Sequence, residues 1–201
     1  MIDKPYSQAC ENNKVPILAV IREAFNQPVT VWEIGSGTGQ HACYFASELP
    51  YLIWQATDVG ENLPGINAWR DEAQLTNLNH PLALDVTDPA WPSYGMEAVF
   101  TANTLHIMSW QQVETLFERF QTYLNPLAKA CIYGPFNYSG KYTSDSNANF
   151  DQWLKSRDPL SGIRDFEAVM ALADHAGLRL LKDNPMPANN RLLVLQKMEI
   201  N

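Results

Sequence analysis

Apolar residues Ile17, Leu18, Val20, Ile21, Ala24 and Phe25 recur at the spacing of one helix face, and Pro16 is tolerated in a first turn. A leading helix is therefore predicted over 15–25. Short continuous apolar runs follow at 29–34, 52–57, 81–84, 98–102 and 128–133, the signature of strands covered on both faces. Helical spacing fills 40–49, 66–74 and 111–124, and Ser109-x-x-Gln112 before the last has the spacing of a capping box. Asp165 is placed to cap a further helix that ends at Gly177. Two final strands are expected at 178–182 and 192–196, separated by D-N-P-M-P-A-N-N, whose Pro and Asn content predicts an irregular segment. Strands alternating with helices predict an α/β domain of three layers around a mostly parallel sheet, with ligands beyond the carboxyl ends of its strands.

Composition narrows the function without changing this layout. The 201 residues, 46% of them hydrophobic, suffice for one domain with a full core. A formal charge of −8 argues against a phosphate-binding surface, so nucleic acid is not the expected partner. Cys10, Cys43 and Cys131 are far apart and are expected to be reduced core thiols. The first residues contain no apolar signal segment and no run is long enough for a membrane span, so a soluble cytoplasmic protein is expected. His41, His80, His106 and His175 are scattered, and no metal site is predicted.

The chemistry concentrates at the strand ends. Residues 30–41 read T-V-W-E-I-G-S-G-T-G-Q-H, a strand meeting Glu33 and then Gly35, Ser36, Gly37 and Gly39. Glycines here let the backbone bend sharply and approach a ligand, with N–H groups expected to face it. A dinucleotide fingerprint places its third glycine one residue later. The E-x-G-x-G-x-G pattern is instead similar to the first motif of class I S-adenosylmethionine-dependent methyltransferases. Asp58 follows Gly39 by nineteen residues, where an acid can accept from both hydroxyls of a ribose. Resemblance to the methyltransferase class implies that Asp85, in A-L-D-V-T-D, accepts from an adenine amino group while the Val86 N–H donates to the ring; Asp88 is read as a turn former before Pro89. Asn103 and His106 follow the fourth strand and should face the same cleft.

The chain as a whole resembles a family of small proteins with this fold, catalogued as a domain of unknown function and labelled methyltransferase-like. The matching segments include Y-S-Q-A-C-E-N-N-K, E-I-G-S-G-T-G-Q-H, W-Q-A-T-D, P-L-A-L-D-V-T, Y-G-P-F, S-N-A-N-F-D, G-I-R-D and M-P-A-N-N. The resemblance implies one Rossmann-like domain over 1–201, a seven-stranded sheet whose last strand is antiparallel, and S-adenosylmethionine as cofactor. Asn12 and Ser161 stand where the family usually carries Arg and Trp. Residues 1–28 are expected to form a helical cover, and 134–165 a long substrate-side connection. Within it Phe136, Tyr138, Tyr142, Phe150 and Trp153 are candidate pocket walls, and Asn137, Asn147, Asp151 and Arg164 candidate polar contacts. Asn13, Asn189 and Asn190 are expected at the same opening, with His106 and then Tyr133 as candidate bases. The function expected is methyl transfer to an unidentified small molecule. The alternatives are a non-catalytic protein that binds this cofactor as a regulatory or interaction module, and a nicotinamide oxidoreductase.

Overall fold

The computed structural model describes residues 4–91 and 95–199. Its helices are α1 (Gln8–Ala24), α2 (Gln40–Glu48), α3 (Leu63–Ala73), α4 (Trp110–Tyr123), α5 (Asp145–Arg157) and α6 (Phe166–His175). The strands are β1 (Thr30–Ile34), β2 (Ile53–Asp58), β3 (Leu82–Ala83), β4 (Met96–Ala102), β5 (Leu124–Gly134), β6 (Phe136–Asn137), β7 (Arg164–Asp165), β8 (Leu178–Met186) and β9 (Asn190–Lys197). Seven strands form one sheet in the order β3-β2-β1-β4-β5-β9-β8, while β6 and β7 pair separately. Only β9 runs against its neighbours in the main sheet, antiparallel to both β5 and β8. This is the mostly parallel, seven-stranded arrangement with an antiparallel last strand that the resemblance implies.

Alternation along each strand divides the core into two layers. Val31 joins Phe45, Trp54, Phe100 and the α1 residues Ile17 and Ile21 on one face. Trp32 and Ile34 join Val99, Ile132 and the α4 residues Phe117 and Phe120 on the other. β2 lies on one side of β1 and β4 on the other, so the chain reverses direction of growth at β1. A crevice opens at such a switch point because the loops after the two neighbouring strands diverge.

Three segments depart from the sequence reading. The leading helix begins at Gln8, a full two turns early, because the Ser7 hydroxyl accepts from Cys10 N and caps a polar first turn that apolar periodicity does not mark. Pro16 consequently lies inside α1. The connection 134–165 is not a bare loop: it contains β6, α5 and β7, and α5 is opened by Ser144, whose hydroxyl accepts from Asn147 N at 3.1 Å. The D-N-P-M-P-A-N-N segment continues β8 to Met186 before a short 3-10 turn at Pro187–Asn189. Pro185 is accommodated because β8 is the edge strand, with a free side that demands no donor. The capping box of α4 forms as expected. Asp165 does occupy the N-cap of α6, but its side chain makes no capping bond.

Candidate active site

The glycine turn leaves β1 with positive φ at Gly35 (72°), Gly37 (58°) and Gly39 (89°). A side chain at Gly35 would meet Thr104 Cγ2 at 2.5 Å, and one at Gly39 would meet the Ile66 backbone at 3.0 Å, whereas one at Gly37 would meet nothing within 4 Å. The outer glycines therefore serve packing, and the middle one keeps space open for a ligand. The N–H groups of Gly35, Ser36 and Gly37 are spent within the protein. Gly35 and Ser36 N–H both donate to Thr57 O at 3.0 Å, and Gly37 N–H donates to Asp58 Oδ2 at 2.6 Å. The cradle is thus a shaped surface fixed to β2, not an array of free N–H groups.

Asp58 is buried at the end of β2, and its Oδ1 accepts from Val59 N and Asn62 Nδ2, each at 2.8 Å. Three of the roughly four acceptor positions of the carboxylate are filled, and the one left is on Oδ2. That is room for one ligand hydroxyl where the sequence suggested two. Neighbouring Asn62 has its own Oδ1 unengaged among the described residues.

Glu33 lies beneath the turn, 1% exposed, with Trp54 Nε1 donating to its Oε2 at 2.9 Å. Burial, opposed by the Trp54 and Ser36 hydrogen bonds and assisted by the charge of Asp58, pushes its carboxyl up to about 7. It does not border the cleft, and neither does Gly39. Both support the cradle from behind.

Above the turn opens a cleft of about 810 Å³, bordered by Gly35, Ser36, Gly37, Asp58, Asp85, Val86, Asn103 and His106. No Lys or Arg lines it among the described residues. Asp85 spends Oδ1 on Thr87 N (2.8 Å) and Thr87 Oγ1 (2.7 Å), leaving Oδ2 available, while Asp88 accepts from Asp85 N as the expected turn former. The buried His106 packs edge-on to Phe150 at 5.3 Å, and burial, with the charge of Arg164 adding, lowers its pKa to about 4. Its ring is neutral at pH 7.

A second chamber of about 360 Å³ adjoins the cleft, the two sharing Ala9, Asn103 and Phe150 as walls. It brings together Asn13 of α1, Tyr133 of β5, Asn147 of α5 and Asn190 of β9. Asn189 contributes its carbonyl, which accepts from Asn147 Nδ2 at 3.3 Å. Burial, opposed by an Asn13 hydrogen bond, raises the Tyr133 pKa, so the phenol stays protonated. The start of α1 borders both spaces. Ser7 N donates to Gln40 Oε1 at 2.5 Å and Gln40 Nε2 to Glu11 Oε1 at 2.9 Å, fastening it to α2.

Other candidates are placed elsewhere. Phe136 is buried in the core against the α4 and α6 layer, and Asn137 borders neither cavity. Asp151 accepts from Tyr142 OH (2.7 Å), Lys155 Nζ (2.6 Å) and Ile163 N (2.7 Å), and so holds the turn before β7. Arg164 donates to the carbonyls of Leu105, Met108 and Leu160, tying that turn to the loop after β4. Tyr138 stacks on Phe166 and donates to Asp183, while Phe150 and Trp153 do wall the cleft. The polar partners of Asp151 and Arg164 are internal, while the buried Asn137 Oδ1 has no hydrogen-bond partner among the described residues.

The sequence reading missed the first turn of α1. Cys10, expected in the core, is half-buried and borders the cleft with His41, its sulfur 3.9 Å from His41 Nδ1. His41 Nε2 in turn lies 2.6 Å from Asn13 Oδ1. Helix periodicity in Q-A-C-E-N-N-K is the only signal that could have placed them. No group of three or more metal-ligating side chains occurs among the described residues.

The fold is that of class I methyltransferases. An O-methyltransferase family protein from Burkholderia thailandensis superposes with a TM-score of 0.82 at 14% identity, over 94% of this chain and 57% of its own. A putative O-methyltransferase from Nostoc punctiforme gives 0.80 at 18% identity, over 94% of this chain and 56% of its own. This chain thus spans little more than half the length of those proteins. YcgJ from Bacillus subtilis is matched over 98% of its length, with a TM-score of 0.71 and 12% identity. Residues 4–197 match the model of a family described as "Protein of unknown function (DUF938)", and the chain belongs to that family.

Proposed function

We propose that the protein is an S-adenosylmethionine-dependent methyltransferase acting on a small molecule. The observation that carries this reading is Asp58 held against the N–H of an unobstructed Gly37, at the edge of a cleft without Lys or Arg. Such a lining suits a nucleoside without phosphate, because the Gly35, Ser36 and Gly37 N–H groups that would hold a dinucleotide's pyrophosphate already donate to Thr57 and Asp58. The names of the similar proteins above point the same way. No helix among the described residues is long and apolar enough to cross a membrane, which agrees with a cytoplasmic location.

The bound cofactor supplies a sulfonium methyl group open to in-line displacement. Asp58 Oδ2 and Asn62 Oδ1 accept from ribose hydroxyls, Asp85 Oδ2 accepts from the adenine amino group, and the Val86 N–H donates to the ring. Asn103 lies between cleft and chamber and lines both, at the place where an acceptor would be oriented. Phe150 lines both spaces and His106 borders the cleft beside it, where its pKa of about 4 makes it a weak base.

Calorimetry with S-adenosylmethionine and S-adenosylhomocysteine tests the reading. Binding by the parent is expected, with Asp58→Ala weakened by about 2 kcal/mol from the lost charge-assisted hydrogen bond. Equal affinities would remove Asp58 from the cofactor site. Binding without transfer of labelled methyl to any fraction of a cell extract would favour the non-catalytic alternative.

A further inference from the structure

The small chamber has a lining of one chemical kind. Its polar walls are asparagines, Tyr133 and Ser146, and among the described residues no acidic or basic side chain lines it. The carboxamides are oriented by their own bonds. Asn147 donates through Nδ2 to Thr143 Oγ1 (3.0 Å) and Asn189 O (3.3 Å), and Asn190 donates through Nδ2 to Pro187 O (3.1 Å) and Ala188 O (3.4 Å). In both residues the NH2 is consumed by protein acceptors and the carbonyl oxygen accepts nothing among the described residues. Asn103 makes no side-chain hydrogen bond at all among them, while its N–H donates to Tyr133 O at 2.9 Å. Its backbone is left-handed (φ 59°), as are Ala188 (55°) and Asn189 (57°). Side chains seldom adopt this region, and residues held there gather at functional sites.

Resting on the methyltransferase reading, we propose that this chamber is the methyl-acceptor pocket and that the acceptor is a small amine. Its N–H groups are taken by the carboxamide oxygens of Asn147 and Asn190, its nitrogen lies beside Asn103, and the Phe150 ring closes the apolar side.

The lining decides against the other acceptors. At Asn147 and Asn190 a carboxylate, phenolate or thiolate would face carbonyl oxygens, with no cation among the described lining residues to offset its desolvation. A neutral hydroxyl must lose its proton as it reacts, but the chamber offers no base: Tyr133 is protonated, and His106 borders the cleft rather than the chamber. An amine needs neither. Entering as the free base, it uses its own lone pair: the N–C bond forms, the S–C bond of the sulfonium breaks, and the positive charge passes to nitrogen while S-adenosylhomocysteine leaves neutral. The methylammonium product keeps its protons and is stabilised by carbonyl dipoles and the Phe150 face. Uncharged acceptors also have a kinetic use, since a carboxylate here would hold the amine as an unreactive ammonium.

The test uses three probes of one skeleton, benzylamine, benzyl alcohol and benzoate, followed by saturation-transfer NMR on protein loaded with S-adenosylhomocysteine. Benzylamine is expected to bind, benzyl alcohol at least threefold more weakly, and benzoate not at all. Asn147→Leu should weaken benzylamine at least tenfold while cofactor affinity in calorimetry is unchanged. Because Asn147 is buried, Asn190→Leu, on the more open turn, is the second variant and should weaken it at least threefold. Benzoate binding as well as the amine, no amine binding, or an amine affinity indifferent to Asn190→Leu would overturn the proposal while leaving the cofactor reading intact. Failure of S-adenosylhomocysteine to bind the parent would overturn both.

Discussion

On the β1–β2 side of the sheet the site is made of backbone; on the β5–β9 side it is made of side chains brought from afar. The cradle needs Gly35–Gly39 and the acid at the end of the adjacent strand, a pair joined by one hydrogen bond of 2.6 Å. The chamber needs Asn13 on α1, Tyr133 on β5, Asn147 on α5 and Asn190 at the start of β9. The first kind of site tolerates little change at one position. The second distributes its geometry over internal bonds such as Asn147 to Asn189 and Arg164 to Leu105, each separately replaceable.

The largest effect is expected at the cradle. Gly37→Val should abolish cofactor binding, because its branched side chain would fill ligand space that no protein atom occupies. The strain of a valine at φ 58° is expected to lower the melting temperature while leaving a folded domain. A mutant whose melting temperature still rises with S-adenosylhomocysteine as the parent's does would place the ligand elsewhere.

Glu33 supports the same side from below, and its effect depends on pH. Its carboxyl is held up to about 7 in the folded chain, against 4.5 for the ordinary group. Stability is therefore complete below about pH 4.5 and falls as pH rises towards 7, where the unfolded chain has already lost the proton that the folded one keeps. Glu33→Gln retains an acceptor for Trp54 and removes this loss. Denaturant unfolding should find the variant as stable as the parent near pH 4.5 and more stable at pH 8, by up to about 3 kcal/mol. A difference that does not change with pH would mean that Glu33 titrates alike in the folded and unfolded chains.

The opposite side should respond in stability first. Arg164→Ala leaves the carbonyls of Leu105, Met108 and Leu160 without their donor, at a cost of about 2 kcal/mol. Cofactor affinity is expected to change by less than about 0.5 kcal/mol, since no ligand contact is removed. A large loss of affinity with normal stability would make Arg164 a ligand contact after all. The smallest effect is expected from Tyr133→Phe, which should leave both cofactor affinity and stability within about 0.5 kcal/mol and act on turnover alone. A full loss of cofactor binding would move Tyr133 from the acceptor side to the cradle.

The same contrast explains what was legible in the chain. Strand β1, the glycine turn and Asp58 are encoded by local spacing, so E-I-G-S-G-T-G and the following acid could be read directly. The seven strands of the main sheet follow from short apolar runs between helices. Helix α5 escaped because its sequence, D-S-N-A-N-F-D-Q-W-L-K-S-R, is mostly polar, and what marks it is a single capping serine. Asp151 and Arg164 were misread because a charged side chain facing an internal carbonyl or N–H looks, in sequence, the same as one facing a ligand. The first turn of α1 was overlooked for the related reason that its contacts, Gln40 with Ser7 and with Glu11, join residues about thirty positions apart.

That cleft and chamber form one site, covered by α1 and walled by α5, is tested most directly by hydrogen exchange with and without S-adenosylhomocysteine. Slower exchange is expected at the glycine turn, at Val59 and Asn62 after β2, in the first turns of α1, and in α5 around Phe150 and Trp153, which line the cleft directly. Protection confined to the glycine turn, with α1 and α5 unchanged, would contradict the account.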